Sequence, residues 1–421
     1  MVELAQPATH RAYQLPDSFD AWRIRARQSA AIPVIAVAGS RGKSTVIRIV
    51  DAMLRSAGLR TATWTNTGIE INGRHQRGEL VPWSRALSRL AEGRLDVAIQ
   101  ELDWSTVNAV GLPEGVYPVV AITNVCVNNE ECLIHDEARR AMRSLPSLLG
   151  AVHPAGVAVL NGEDYALAGA DVPFRSPAIL VAPSPETPLV RGHLRNGGSA
   201  AWINARGIAL GLHEEYTHLG DPRELGLTLQ GKASFQVVNA MVAASIASAV
   251  GIAPLTINSA LSELSLEPSV LPGSFNVFRQ NETIIVVDRP DPSWFLRPVL
   301  RGVRDVRRNR LLTVVGRMQN APLDDLAEVG RLLGRASAAV ILHSQEDEPD
   351  RAERFRQGVA SNDVPSVIVH TTTERRAINR ALKMAREGDA VLILADQATS
   401  AVRQVQRLTT DSLADGASDG D

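Results

Sequence analysis

The chain has 421 residues, of which 45% are apolar and 21% charged, and it carries a formal net charge of −2. That balance describes an ordinary soluble globular protein with length for two or three domains, and the lack of a basic excess argues against nucleic-acid binding. The first 30 residues contain Arg11, Asp17, Asp20, Arg23, Arg25 and Arg27 without a sustained apolar stretch, so neither a signal peptide nor a membrane span is expected, and a cytoplasmic location follows. Two cysteines, Cys126 and Cys132, are too few for a disulfide framework or a zinc site and fit a reducing compartment.

In chain order, residues 33–38 form a short apolar run of strand type, and residues 44–60 place Val46, Ile47, Val50, Met53 and Leu54 at helical spacing. Strand-like runs then recur, each ending in a polar residue: 95–100 leads into Glu101, 119–122 into Thr123 and Asn124, and 157–160 into Asn161. Helical stretches at 83–91 and 137–149 separate them. Such alternation marks a mostly parallel α/β sheet, with its ligand site beyond the carboxyl ends of the strands, where Lys43, Glu101, Asn124 and Asn161 would share one rim. From about 173 to 230 prolines, glycines and short alternating pieces suggest a smaller β-rich excursion. An apolar helix is expected over 235–250 and another over 255–264, after which Pro268, Pro272 and Gly273 mark a linker.

A second α/β series follows. Residues 283–287 end in Asp288, 310–315 in Gly316 and Arg317, 339–342 in His343, 367–369 in His370, and 390–395 in Asp396. The fold class expected is therefore α/β, with a P-loop central domain built on a mostly parallel sheet and a second, Rossmann-like α/β domain at the C-terminus. The boundaries implied are an N-terminal extension over 1–32, the central domain over 33–270, the C-terminal domain over 271–410, and a disordered acidic tail over 411–421.

The strongest local signal is Gly39-Ser40-Arg41-Gly42-Lys43-Ser44-Thr45, set between a buried strand and a helix N-terminus. Backbone N–H groups of such a turn point at an anion, glycines admit close approach, a Lys ammonium reaches terminal phosphates, and the following hydroxyl can ligate Mg²⁺. Only three of the 44 basic residues are lysine, and one of them stands here, where a compact point charge on a flexible stem suits better than the planar fork of Arg. The spacing is the short form GxxGK[ST], because the first glycine of the longer motif is replaced by Val37. Mg²⁺ needs a carboxylate beside the phosphates, and Glu101 at a strand end is the first candidate, with Asp103 as competitor.

These residues carry a family resemblance. The glycine loop, Thr65-Asn66-Thr67-Gly68, Glu101, Ile122-Thr123-Asn124-Val125, Leu160-Asn161-Gly162-Glu163-Asp164, the stretch 231–239, and Pro272-Gly273 with Asp288 together resemble the Mur ligase family over residues 33–408. The wording around Lys43 and the downstream Thr-Gly resemble its poly-γ-glutamate synthase branch. The resemblance implies an ADP-forming amide ligase that uses ATP and Mg²⁺ to join a carboxylate and an amine, the amine being an amino acid. Lys43 and Glu101 are then catalytic, and Ser44 and Glu101 hold the metal. Gly39, Ser40, Arg41, Gly42, Lys43, Ser44, Thr45, Asn239, Asp288, Arg289 and Arg317 are expected to contact the nucleotide. With 32 residues before the first strand, a uridine-nucleotide domain of the cell-wall ligases is not expected.

Departures from the family pattern raise a second reading. The Asp-His pair after Ile-Thr-Asn-Val is replaced by Asn128-Asn129, with Glu130, Glu131, His135 and Asp136 just beyond. The helix that carries a carbamylated Lys in many relatives offers Arg139, Arg140 and Arg143, and Arg stays protonated. Phe235-Gln236-Val237-Val238-Asn239, Pro272-Gly273-Ser274 and Asp288-Arg289-Pro290 also depart from the family wording. The alternative is a catalytically weakened nucleotide-binding homologue acting as a partner subunit, and a homo-oligomer or a complex with partner subunits is compatible with either reading.

Overall fold

A computed structural model describes residues 12–29, 31–126, 136–168, 176–212, 215–265, 267–319, 321–344, 348–363 and 366–418. The chain divides into two units, Met1–Gly231 with Gln236–Ser265, and Lys232–Phe235 with Leu266–Asp421.

The first unit runs α1 (Phe19–Gln28), β1 (Val34–Ala38), α2 (Lys43–Ser56), β2 (Thr61–Thr65), β3 (Gly68–Ile71), β4 (Arg74–Gln76), α3 (Leu80–Ala91), β5 (Val97–Leu102), α4 (Trp104–Val110) and β6 (Tyr117–Ile122). It continues with α5 (Asp136–Gly150), β7 (Val152–Asn161), α6 (Tyr165–Ala168), β8 (Ala178–Val181), α7 (Pro188–Arg195), β9 (Ser199–Asn204), β10 (Gly207–Gly211), β11 (Tyr216–His218), α8 (Ser234–Ala249) and α9 (Pro254–Glu263). All its strands join one eleven-stranded sheet in the order β11-β10-β9-β8-β7-β6-β1-β5-β2-β3-β4. From β9 to β2 every neighbouring pair is parallel, and the two margins turn antiparallel. β1 is buried at all five positions, the pattern of a central strand covered on both faces. The chain goes from β1 to β2 on one side and from β5 to β6 on the other, so strand order reverses at β1, the position where open α/β sheets form their ligand crevice beyond the carboxyl ends of the strands.

The segment 173–230 differs from expectation. Its strands β8 to β11 extend the main sheet from β7 and are no separate excursion, because Ala178–Val181 pairs in parallel with the end of β7 and buries Ile179, Leu180 and Val181. Leu180, Val190, Leu194 and Trp202 then form a local core. α8 is buried along nearly its whole length, as a helix apolar on all sides must be. Cys126 is buried and disulfide-bonded, so the expectation of a reduced thiol fails there. Among the described residues no helix is long and apolar enough to cross a membrane.

The second unit contains β12 (Asn276–Gln280), β13 (Thr283–Asp288), α10 (Ser293–Arg304), β14 (Leu311–Val315), α11 (Leu326–Ala336), β15 (Ala339–Leu342), α12 (Pro349–Ala360), β16 (Val367–His370), α13 (Glu374–Met384), β17 (Ala390–Leu394) and α14 (Ala398–Ser418). Its six strands lie in the order β12-β13-β17-β14-β15-β16, parallel except for the β12–β13 hairpin. One face buries Ile285, Leu312, Ile341, Ile378, Ile393 and Val402 in a common core. The tail read as disordered from 411 continues α14 to Ser418. Extending an existing helix fixes one residue for each added hydrogen bond, so a stretch without proline can follow its nucleated predecessor.

Candidate functional site

The turn between β1 and α2 is built by two glycines in conformations that L side chains rarely adopt, Gly39 at φ 144° and Gly42 at φ 84°. A Cβ on Gly39 would stand 1.9 Å from Thr123 Oγ1, and one on Gly42 would stand 2.4 Å from Asn239 Oδ1. Side chains therefore press on the loop from two directions. Asn124 at the end of β6 brackets Arg41, its Oδ1 accepting from the Arg41 N–H at 3.1 Å and its Nδ2 donating to the Arg41 carbonyl at 2.9 Å. Ser40 donates to the Val125 carbonyl and accepts from the Trp104 indole N–H. Ser40 N–H also donates to the Asn124 carbonyl.

α2 begins at Lys43, directly beyond this turn, so its first N–H groups lack intrahelical acceptors and face the crevice with the positive end of the helix dipole. Lys43 Nζ donates to the Gly39 carbonyl at 2.9 Å and lies 3.5 Å from Glu101 Oε1 and 3.4 Å from Asp103 Oδ1. Its side chain is 13% exposed and that of Glu101 8%, whereas Asp103 is 63% exposed. A nearly buried ammonium facing a nearly buried carboxylate is a strong local field for a charged ligand.

Glu101 lies within β5, in register with Val37, and so reaches the loop from the neighbouring strand. The sequence places it just after its strand. The strand runs to Leu102 because parallel pairing with β1 continues through Ala38 and Leu102. Ser44 Oγ donates to Glu101 Oε2 at 2.6 Å and stands 3.1 Å from Asn66 Oδ1, while the Asn66 N–H donates to Glu101 Oε2 at 3.2 Å. Three hard oxygen donors thus meet beside the ammonium. Among the described residues no group of three or more His, Cys, Asp and Glu could hold a metal. One carboxylate with a hydroxyl, an amide oxygen and ligand phosphates is instead a set that suits Mg²⁺.

The structure gathers Gly39, Ser40, Arg41, Gly42, Lys43, Ser44, Thr45, Glu101 and Asn239 in the first unit. Asn239, buried on α8, contacts the loop at Gly42 and donates through Nδ2 to Gln236 Oε1 at 2.9 Å. Asp288, Arg289 and Arg317 belong to the second unit. Asp288 Oδ1 accepts from the N–H groups of Phe275 and Arg289, a bond set that closes the start of β12 over the end of β13. Arg317 turns its N–H and Nε toward Asp396 Oδ2 at 3.1 and 3.4 Å. At the same strand ends, His343 Nε2 lies 3.9 Å from Glu374 Oε1. Burial holds the His343 imidazole below its ordinary value and pushes the Glu374 carboxyl up. Asn128, Asn129, Glu130, Glu131, Cys132 and His135 lie outside the described residues. Asn66 was not among the oxygen donors expected from the sequence. Its signal was the Thr-Asn-Thr-Gly turn between two short strands.

A glycine turn at the switch point of a parallel sheet, with Lys, Ser and a strand-borne Glu converging on one spot, is the architecture of a P-loop nucleotide-binding protein. The Mur ligase middle domain matches residues 37–247 and the Mur ligase glutamate ligase domain matches residues 295–396. This chain belongs to the Mur ligase family. It is 23% identical over 386 residues to the cyanophycin synthetase of Trichormus variabilis, covering 90% of this chain and 43% of that protein. The chain thus spans less than half the length of that relative. It is also 23% identical over 377 residues to the UDP-N-acetylmuramoyl-L-alanyl-D-glutamate–2,6-diaminopimelate ligase of Aquifex aeolicus, covering 87% and 73%. Among solved structures, the bifunctional folylpolyglutamate synthase/dihydrofolate synthase of Yersinia pestis, complexed with AMPPNP and Mn ion, superposes with a TM-score of 0.60 at 16% identity, covering 93% of each chain.

Proposed function

We propose that this chain forms amide bonds at the expense of ATP, releasing ADP and phosphate. The observation that carries this reading is the convergence of Lys43, Ser44, Asn66 and Glu101 beyond β1. A substrate carboxylate oxygen attacks the γ-phosphorus and the bond to the β-phosphate oxygen breaks, giving an acylphosphate and ADP. An amine then attacks the acyl carbon, phosphate leaves, and the amine loses a proton. The α2 N-terminus and Lys43 hold the phosphates, and Lys43 offsets the charge that spreads over the transferred group. Ser44, Asn66 and Glu101 would hold Mg²⁺, which would supply positive charge to offset that of the phosphates. Asn124 and Asn239 keep the loop in its phosphate-binding shape. Asn239, Asp288, Arg289 and Arg317 serve nucleotide binding in this reading, in a cytoplasmic setting.

The activities of the relatives support an amino acid or peptide as one substrate, and growth of a glutamyl chain in the poly-γ-glutamate manner is the finer form of the proposal. A second reading, a weakened homologue serving as a partner subunit, is favoured by one observation: α5 offers Arg139, Arg140 and Arg143 and no lysine. Incubation of the purified chain with ATP, Mg²⁺, hydroxylamine and a panel of amino acids and short γ-glutamyl peptides separates the two. Acid-dependent ADP and hydroxamate that disappear in Lys43→Ala are expected. Nucleotide binding without turnover across the panel would establish the partner-subunit reading instead.

A further inference from the structure

One face of α2 carries Ser44, Arg48, Asp51 and Arg55, spaced so that they stack along the helix. The first three of these side chains bond to the β2–β3 ribbon. Ser44 Oγ meets Asn66 Oδ1 at 3.1 Å, Arg48 Nη1 donates to Glu70 Oε2 at 2.5 Å, Arg48 Nη2 donates to Thr67 Oγ1 at 3.2 Å, and Thr61 Oγ1 donates to Asp51 Oδ1 at 2.5 Å. Arg55 closes the row on Asp51 at 3.1 Å. Thr65 pairs with Gly68, so Asn66 and Thr67 are the two residues of a tight turn, and Thr67 is further bonded to Thr65. Asn66 itself is exposed, which leaves the tip without an apolar anchor.

The Arg48 side chain is only 6% exposed and its partner Glu70 18%. Burying an ion pair commonly contributes no more stability than packing apolar residues in its place. What this pair does supply is geometry: the planar fork of Arg48 grips β3 through Glu70 and the turn through Thr67 at once. We propose that Arg48, with Glu70, is a positioning residue for the metal site, holding the β2–β3 turn so that Asn66 meets Ser44 and Glu101. The inference rests on the nucleotide reading above. Partners behind metal ligands are commonly worth about 10–100-fold in metal affinity.

Calorimetric titration of the full chain with ADP, once in excess Mg²⁺ and once in EDTA, tests it without requiring turnover. Arg48→Ala is expected to lose about 10–100-fold of the affinity gained from Mg²⁺, with the affinity in EDTA changed by no more than roughly twofold. Arg48→Lys, which can hold Glu70 but not Thr67 as well, recovers part of the loss. Arg48→Met with Glu70→Leu removes both charges, guards against misfolding of the single variant, and is expected to lose the same Mg²⁺ contribution. In an Asn66→Ala background Arg48→Ala adds nothing further, since the two act through one contact. Retained Mg²⁺ dependence in the folded double variant, or additive losses with Asn66→Ala, overturns the proposal. Wild-type protein that binds no ADP in either buffer overturns the functional reading and this inference with it, an outcome distinct from the other two.

Discussion

Gly42→Ala probes the glycine loop where conformation and packing act together. At φ 84° the backbone is left-handed, which costs an L residue about 1–2 kcal/mol. The added Cβ would stand 2.4 Å from Asn239 Oδ1, so the buried Asn239 must move and give up its hydrogen bond to Gln236, worth about 0.5–1.5 kcal/mol net. Together the loss should be about 1.5–3.5 kcal/mol. Urea unfolding followed by tryptophan fluorescence measures it, alone and in an Asn239→Ala background. There the obstructing amide is absent, and only the backbone part of about 1–2 kcal/mol should remain. Equal losses in the two backgrounds, within the roughly 0.3–0.5 kcal/mol expected of independent sites, would refute the contact.

Asp164 is fully buried and accepts from the N–H groups of Val125 and Cys126 through Oδ2 and of Ala166 and Leu167 through Oδ1. Asp164→Ala leaves four backbone donors without this acceptor and should cost at least about 3 kcal/mol in urea unfolding, with Asp164→Asn in between; a loss under about 1 kcal/mol contradicts the clamp. The Arg60 guanidinium beside Asp96 holds that carboxyl below its usual range, and the Arg60 backbone N–H adds to this. A depressed folded value makes the contribution present above the unfolded value of about 3.9 and lost as pH falls through the folded value. The stability gap between wild type and Asp96→Asn should therefore be constant above about pH 5 and shrink on further acidification. A gap that widens toward acid pH would show that the pair does not act this way.

Much of the first unit could be read from local pattern. The apolar run of β1, the glycine loop and the amphipathic start of α2 lie next to one another in the chain, and burial on both faces leaves a continuous hydrophobic signature in the strand. Glu101 was legible as the acid closing another such run. Asn66 was not legible as a donor, because its importance comes from a two-residue turn folded back onto residues 22 and 35 positions away. Nor was the occupation of Arg317 by Asp396, 79 residues later, since both simply follow apolar strands.

By itself the sequence determined the apolar run of β1, the helical spacing of α2 and the glycine turn between them that carries Lys43, since hydrophobic period and turn chemistry are local properties. Only the tertiary structure decided the strand order that puts β1 at the switch point, the joining of 178–218 to the main sheet, and the seating of Arg48 behind Asn66. Those outcomes depend on pairings between residues far apart in the chain, which local periodicity does not encode.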